Sequence, residues 1–539
     1  MSKVSPMNIP DAAVAQKAHS ATTDIKAPRN ICDMPIEILS KVFLDTLDPL
    51  DAVDPVFNPS SNAVTLLNIS HASSFLREAV IGDSSLWAVV PYLNGIHTDF
   101  LKAILERSQQ TAINLTLLDD GRVWEADENW NEARWHFDRI SKLHIEVDPI
   151  SEGFILHTFL SRPAPSLTEC RIHFVGFRNV PLNKLLNSRD PRLFDDDAPH
   201  LHTLKLTNCW IRPKHYSSLP SLRQVAVQSQ YNSDRAYREG HSFMALEDLL
   251  GGHSLANSFI YLQDLALINC IQHSDRPEGP TFQQPIHLPS LERFTLETTI
   301  GDCHQLATNF RLPKTCSRII TSTSHRHRQL KLEDASAAGV ALSLFVPSDA
   351  PNTHCAVGTS DLTPFLRFTN SYSTVTLRLR LPGRKDPHFD AHMFLVEVGM
   401  ALAPALGTRV STISTVHLQF EKLSPSSGLL LPLLRLMDVK EITSQSSELW
   451  ADPCIQALAR HENVPSLRKL QMPLEDSICE AEDLAGVSRF LRSREDVQEI
   501  VFQVDLSRLG DMEHDEMDSV IRDLTRNFPS TVDLKWVAS

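Results

Sequence analysis

Residues 198–209 read Ala198-Pro199-His200-Leu201-His202-Thr203-Leu204-Lys205-Leu206-Thr207-Asn208-Cys209. Leu201, Leu204 and Leu206 fall three and then two apart, and from Leu204 apolar and polar positions alternate. Period two marks a strand with one buried face. Pro199 ahead of it discourages helix. Asn208 suits the turn that follows, where its side chain can satisfy open backbone groups. The phrase recurs at 164–172, 219–227, 261–270, 288–296 and 464–472, four of these copies carrying Pro-Ser-Leu. Less perfect copies lie at 140–147, 416–420 and 497–504, and a first one at 112–118.

This pattern resembles leucine-rich repeats, whose LxxLxLxxN/C phrase is present at 201–209 and 262–270. The resemblance implies that the first Leu packs under each strand and that the next two apolar residues point inward. Anchoring leucines are separated by 34 (167 to 201), 21 (201 to 222), 40 (222 to 262) and 29 (262 to 291) residues, so connections of variable length are expected between strands. Three buried apolar side chains contribute on the order of 6 kcal/mol, whereas ordering about 25 residues costs roughly 25–50 kcal/mol. A single repeat cannot stand alone and must stack on neighbours. The alternative is an ordinary α/β domain with parallel strands. Residues 298–413 carry few clear copies and receive no detailed assignment.

The composition agrees with a folded, non-catalytic chain. Of 539 residues 42% are hydrophobic, a globular value, and the length allows either several domains or one long array. The net charge is −15, which disfavours nucleic acid and anionic membranes as partners. No apolar run reaches the ~20 residues that span a bilayer. The nine cysteines are scattered without CxxC spacing, which argues against zinc ribbons, redox dithiols and a disulfide scaffold. GxGxxG, GxxxxGK[ST] and GxSxG are absent, so no nucleotide cofactor or nucleophile elbow is expected. Residues 1–29 read as a disordered lead-in without an apolar signal segment, so a cytoplasmic or nuclear location is expected.

Order should begin near Ile31, with Asp33 as N-cap and Pro35 in the first turn. Residues 35–44 pair Ile38 with Val42 and Leu39 with Phe43 at i,i+4. A second helical pattern runs from Val64 to Ile81, including Leu67, Ile69 and Leu76, and ends at Gly82; Leu86-Trp87 follows. Together these pieces resemble an F-box, most closely that of F-box proteins of mushroom-lineage (basidiomycete-type) fungi. The first half is Met34-Pro35-Ile36-Glu37-Ile38-Leu39-Ser40-Lys41-Val42-Phe43. The second is Ile69-Ser70-His71-Ala72-Ser73-Ser74-Phe75-Leu76-Arg77-Glu78-Ala79-Val80, closing on Ser84-Ser85-Leu86-Trp87. Met34, Ser73, Leu76 and Ser84 depart from the family's Leu, Cys, Trp and Pro.

The resemblances together imply an α/β chain: a small helical F-box at 30–90, an irregular leucine-rich-repeat solenoid at 91–509 and a C-terminal cap at 510–539. The cap reads as a last helix and a strand over 531–537. They also imply a substrate-recognition subunit of an SCF-type ubiquitin ligase. The F-box would bind a Skp-type adaptor, and through it a cullin and a RING subunit, while the repeats hold an unknown protein substrate. Pro35, Ile38, Leu39, Val42, Phe43, Leu67, Ile69, Leu76, Leu86 and Trp87 are the residues expected to build this helical domain and its adaptor face. The alternative is a repeat scaffold whose helices only cap the array.

Other candidates read more plainly as structure. His388 and His392 have i,i+4 metal-ligand spacing but no third ligand, so surface histidines at a helix start are expected. The run Arg311–Lys331 holds six Lys/Arg and no acid and reads as a solvated loop, with an acidic-peptide or phosphate patch as the alternative. Trp124, Trp130, Trp135 and Phe137 read as helix packing. Asp195-Asp196-Asp197 reads as an exposed acidic turn without calcium-loop spacing. No catalytic residue, cofactor or metal is expected.

Overall fold

The computed structural model describes residues 31, 34–47, 60–89, 96–118, 128–147, 159–175, 180–181, 193–211, 219–230, 244–245, 259–272, 285–323, 332–347, 352–360, 363–381, 391–419, 432–444, 464–474, 490, 494, 496–504, 522 and 533–538. The chain divides into two compact units, Met1–Val90 with Lys102–Thr111, and Pro91–Leu101 with Ala112–Ser539.

The first unit is helical: α1 (Ile36–Thr46), α2 (Ser60–Ala72), α3 (Ser74–Gly82) and α4 (Ser84–Ala88), followed by α5 (Thr98–Arg107), at which the division falls. Pro35 is itself the residue before α1, and its carbonyl accepts from Ile38 and Leu39 N–H at 3.0 and 3.2 Å. The expected cap Asp33 lies outside the described residues. The single helix expected over 64–81 is two helices. The Ser73 hydroxyl accepts from Leu76 N–H at 3.1 Å and restarts the helix as an N-cap, the preference of a short hydroxyl side chain outweighing the continuous apolar pattern. Asp83 does the same for α4, its Oδ1 accepting from Ser85 N–H at 2.9 Å.

The second unit is built on one sheet of sixteen strands among the described residues. These are β1 (Ile113–Leu118), β2 (Ile140–Val147), β3 (Glu169–Phe174), β4 (Thr203–Thr207), β5 (Gln224–Gln228), β6 (Asp264–Ile268), β7 (Arg293–Thr299) and β8 (Ser317–Thr323). The rest are β9 (His354–Ser360), β10 (Thr363–Thr369), β11 (Thr374–Arg380), β12 (Thr415–Gln419), β13 (Glu441–Ser444), β14 (Lys469–Leu474), β15 (Glu499–Val504) and β16 (Asp533–Ala538). The first eight pair in chain order, all parallel, and so do the last five. All ten copies of the repeated phrase fall on strands of this sheet. The strand expected over 531–537 is β16; the expected last helix lies almost wholly outside the described residues.

Register carries the sequence pattern across the sheet. Leu143, Cys170, Leu204, Val225, Leu265 and Phe294 stand side by side on consecutive strands and are all buried. Seven of the strands, β3 to β7, β12 and β14, are reached through the same four-residue turn. Leu167, Leu201, Leu222, Leu262, Leu291, Ile413 and Leu467 each donate their N–H to the carbonyl three residues back, at 3.1–3.3 Å. That earlier residue (Ala164, Ala198, Leu219, Phe259, Leu288, Val410 or Val464) is buried as well. The Asn-Cys ending also has a physical role. Asn208 and Asn269 take left-handed backbone, φ 56° and 51°, a conformation asparagine tolerates. The Asn208 side chain donates to Phe174 O at 2.9 Å and accepts from Gln230 N–H at 2.8 Å.

Between β8 and β12 the order changes to β8-β11-β10-β9-β12. The chain leaves β8, passes through α8 (Leu332–Ser343), enters β9 three places further along, and doubles back through β10 and β11, so that β10 is antiparallel to both neighbours. A second helix, α9 (Ala391–Leu406), then leads to β12. In chain order these two helices follow α6 (Glu128–Arg134) and α7 (Ile300–Asn309). The α8–α9 contact depends on Gly339, where a Cβ would lie 2.5 Å from Val398 O. Two guanidiniums close the C-terminus of α8. Arg318 Nη1 donates to Phe345 O and its Nη2 to Pro313 O at 2.8 Å, while Arg409 Nη1 reaches Ser343 O and Val346 O at 3.1 and 3.2 Å.

Candidate functional site

The helical unit is held by a small core of Leu39, Phe43, Leu66, Ala79, Val80, Leu86 and Trp87. Trp87 is its centre: the indole Nε1 donates to Val80 O at 2.7 Å and the ring carries the Arg107 guanidinium 4.6 Å from its centroid. Ser84 and Thr111 hydroxyls meet at 2.7 Å. Arg77 Nε donates to Ser70 O at 3.0 Å and ties α3 back to the end of α2.

The ten residues named from sequence therefore separate into groups. Leu39 and Phe43 are core, 0% and 5% exposed, as are Leu86 and Trp87. Leu67, Ile69 and Leu76 are half-buried. Pro35, Ile38 and Val42 are exposed, Ile38 at 49% and Val42 at 43%. The two i,i+4 pairs of α1 thus face differently: one stripe enters the core, and the stripe beside it carries apolar side chains into solvent. Leu66, buried on α2, completes the core; it belongs to the apolar pattern over 64–81 but is not among the ten.

The other candidates are placed as follows. His388 lies outside the described residues, and His392 is the second residue of α9. In the basic run, residues 324–331 lie outside the described residues, whereas Arg318 is buried rather than solvated, because it caps α8. Trp124 also lies outside them. Trp130 and Phe137 pack edge-on against Phe159, centroids 5.2 and 5.5 Å apart, while Trp135 stands 77% exposed. Asp195, Asp196 and Asp197 are exposed. No group of His, Cys, Asp and Glu among the described residues is arranged to hold a metal ion, and no described helix is long and apolar enough to cross a membrane.

No family model matches the chain, and no curated protein matches its sequence. Among solved structures, a chain of a TLR13–ssRNA13 complex is similar at 13% identity and a TM-score of 0.24. That match takes in 68% of this chain and 42% of the other, less than half of the other's length, and a likeness of that size leaves function open.

Proposed function

We propose that this chain is an F-box protein with leucine-rich repeats, the substrate-recognition subunit of an SCF-type ubiquitin ligase. Its helical unit binds a Skp-type adaptor, and through it a cullin. Its long parallel sheet presents a protein substrate. The chain performs no covalent step. It acts by raising the concentration of substrate lysines near a charged conjugating enzyme, in the cytoplasm or nucleus.

The observation that carries this reading is the exposed apolar stripe of α1, Ile38 and Val42, set beside a stripe that is fully used in the core. Uncovered neighbouring apolar side chains on a small helical unit are what a protein partner desolvates. The burial pattern also selects the test. Substituting Leu39 and Phe43 with Asp would unfold the unit and lose any partner indirectly. Ile38→Asp with Val42→Asp should leave the circular dichroism and melting temperature of the chain in place while removing capture of a co-expressed fungal Skp adaptor. Undiminished capture by that double variant contradicts the assignment. A folded wild-type chain that captures no adaptor leaves the scaffold reading.

A further inference from the structure

Five neighbouring strands, β8, β11, β10, β9 and β12, read SRIITST, TVTLRLR, TPFLRFT, HCAVGTS and TVHLQ. They contain Arg318, Arg367, Arg378, Arg380, His354 and His417 and not one Asp or Glu, in a chain whose net charge is −15. Arg318 turns inward to cap α8. Arg367 and Arg378 occupy the sheet face that alternates with the buried columns, and both are half-exposed.

Their surroundings leave them uncompensated. Arg367 opposes Thr376 and Phe365 opposes Arg378 across the β10–β11 pair. Arg367 Nε donates to Thr376 Oγ1 at 3.4 Å, and its guanidinium lies 5.3 Å from the Phe365 ring centroid. The Arg378 side chain makes no hydrogen bond or ion pair among the described residues, and its Nε is shut off from water without an acceptor. Leaving a buried donor unsatisfied is costly, more so on a charged group, so its persistence calls for an explanation. The nearest acid in the same register row is Glu297, two strands away through Thr321. Glu297 is already engaged by Arg380 and by Asn269 Nδ2 at 2.9 Å. On the other side no acid follows in register: Ala356 lies beside Arg367 and Gly358 beside Phe365, and then come His417 and Gln419. His354 and His417 sit with ring centroids 6.0 Å apart.

We infer that this patch is a docking site for an acidic protein segment, whose carboxylates take the guanidiniums of Arg367 and Arg378. Diagonal positions on adjacent strands stand about 7–8 Å apart. Side chains two apart on an extended segment repeat at roughly 6.8 Å, so successive same-face carboxylates can meet the two arginines. A guanidinium receives a carboxylate through two parallel hydrogen bonds, and the Arg367 and Arg378 side chains are both half-exposed. Nucleic acid fits less well, because two arginines do not track a phosphate backbone and the chain as a whole repels one. The inference deepens the substrate-binding reading given above and rests on it.

The test uses the purified full chain without adaptor and a fluorescein-labelled peptide of alternating Glu and Gly, read by fluorescence anisotropy at low salt. A Gln/Gly peptide and an oligouridylate serve as comparisons. Binding of the Glu peptide alone is expected. Arg378→Gln, and Arg367→Gln separately, should each weaken it roughly 30-fold with unchanged melting temperature, and Arg378→Lys should restore part of it. No binding of the Glu peptide, equal binding of the Gln peptide, preference for the oligouridylate, or indifference to both arginine variants would each overturn the inference. A chain that captures the adaptor but ignores the peptide refutes this site alone. One that binds the peptide through these arginines but captures no adaptor refutes the ligase reading alone.

Discussion

At the residue scale, the turn before each strand is a place where one position must be filled from inside. Seven of the turns described put an aliphatic or aromatic residue there, and the turn before β15 puts Arg494 there. Its side chain is 0% exposed. The guanidinium donates to Val464 O, the equivalent position of the preceding turn, at 2.7 Å, and makes two bonds of 2.8 and 2.7 Å to Asp496. It is accommodated in the core by its pairing with Asp496 and its hydrogen bond to the Val464 carbonyl. Arg494→Ala should cost about 3–5 kcal/mol in chemical denaturation, and Arg494→Met, which refills the volume, clearly less. Equal losses would show that packing and not pairing governs this turn. The cysteines give a second prediction at this scale. Burial pushes the Cys270 and Cys355 thiols up to about 12 and Cys316 to about 11, and raises Cys170, Cys209 and Cys303 too. A thiol reacts as its thiolate, so these six should stay silent toward Ellman's reagent at mildly alkaline pH. Of nine cysteines, six are so placed, leaving at most three to titrate in the native chain and all nine after denaturation. Rapid titration of more than three would contradict the buried packing.

At the element scale, the crossing of α8 and α9 rests on one missing Cβ. In an open helix Gly→Ala stabilises by about 1 kcal/mol. At Gly339 the added methyl meets Val398 O at 2.5 Å and Ala401 Cβ at 2.8 Å, so Gly339→Ala should instead destabilise by about 1–3 kcal/mol, seen as a lowered melting temperature. A raised one would mean that the helices separate freely. The same region marks where the sequence stops being readable. The phrase that places β3 to β7 works because an anchor leucine and two inward positions recur at fixed spacing. At β8 the turn closes on Cys316, and the first inward position in register with Phe294 is Arg318. At β11 the place of the anchor is taken by exposed Tyr372, in a hairpin turn held by Asn370. With anchors gone and strand order inverted, nothing local announces β8 to β11. At β13 the anchor is present as buried Val439, but it lacks the Pro-Ser-Leu lead that marks β3, β5, β7 and β14.

At the scale of the whole molecule, the two units were legible to different depths. The helical unit could be read as apolar pairs, yet i,i+4 spacing does not say which pair is core. Only the placement of Leu39 and Phe43 inside separates them from Ile38 and Val42 outside. The arginine patch on β10 and β11 was invisible for a related reason: Arg367 and Arg378 become neighbours only through a hairpin that no repeat phrase marks. The central claim is that the exposed stripe of α1 receives a Skp-type adaptor. The most direct measurement is size-exclusion chromatography with light scattering on the full chain mixed with a purified fungal Skp adaptor. A co-eluting equimolar complex with the wild-type chain, absent with the folded Ile38→Asp, Val42→Asp variant, is the predicted result. Separate elution of a folded wild-type chain and free adaptor would contradict it.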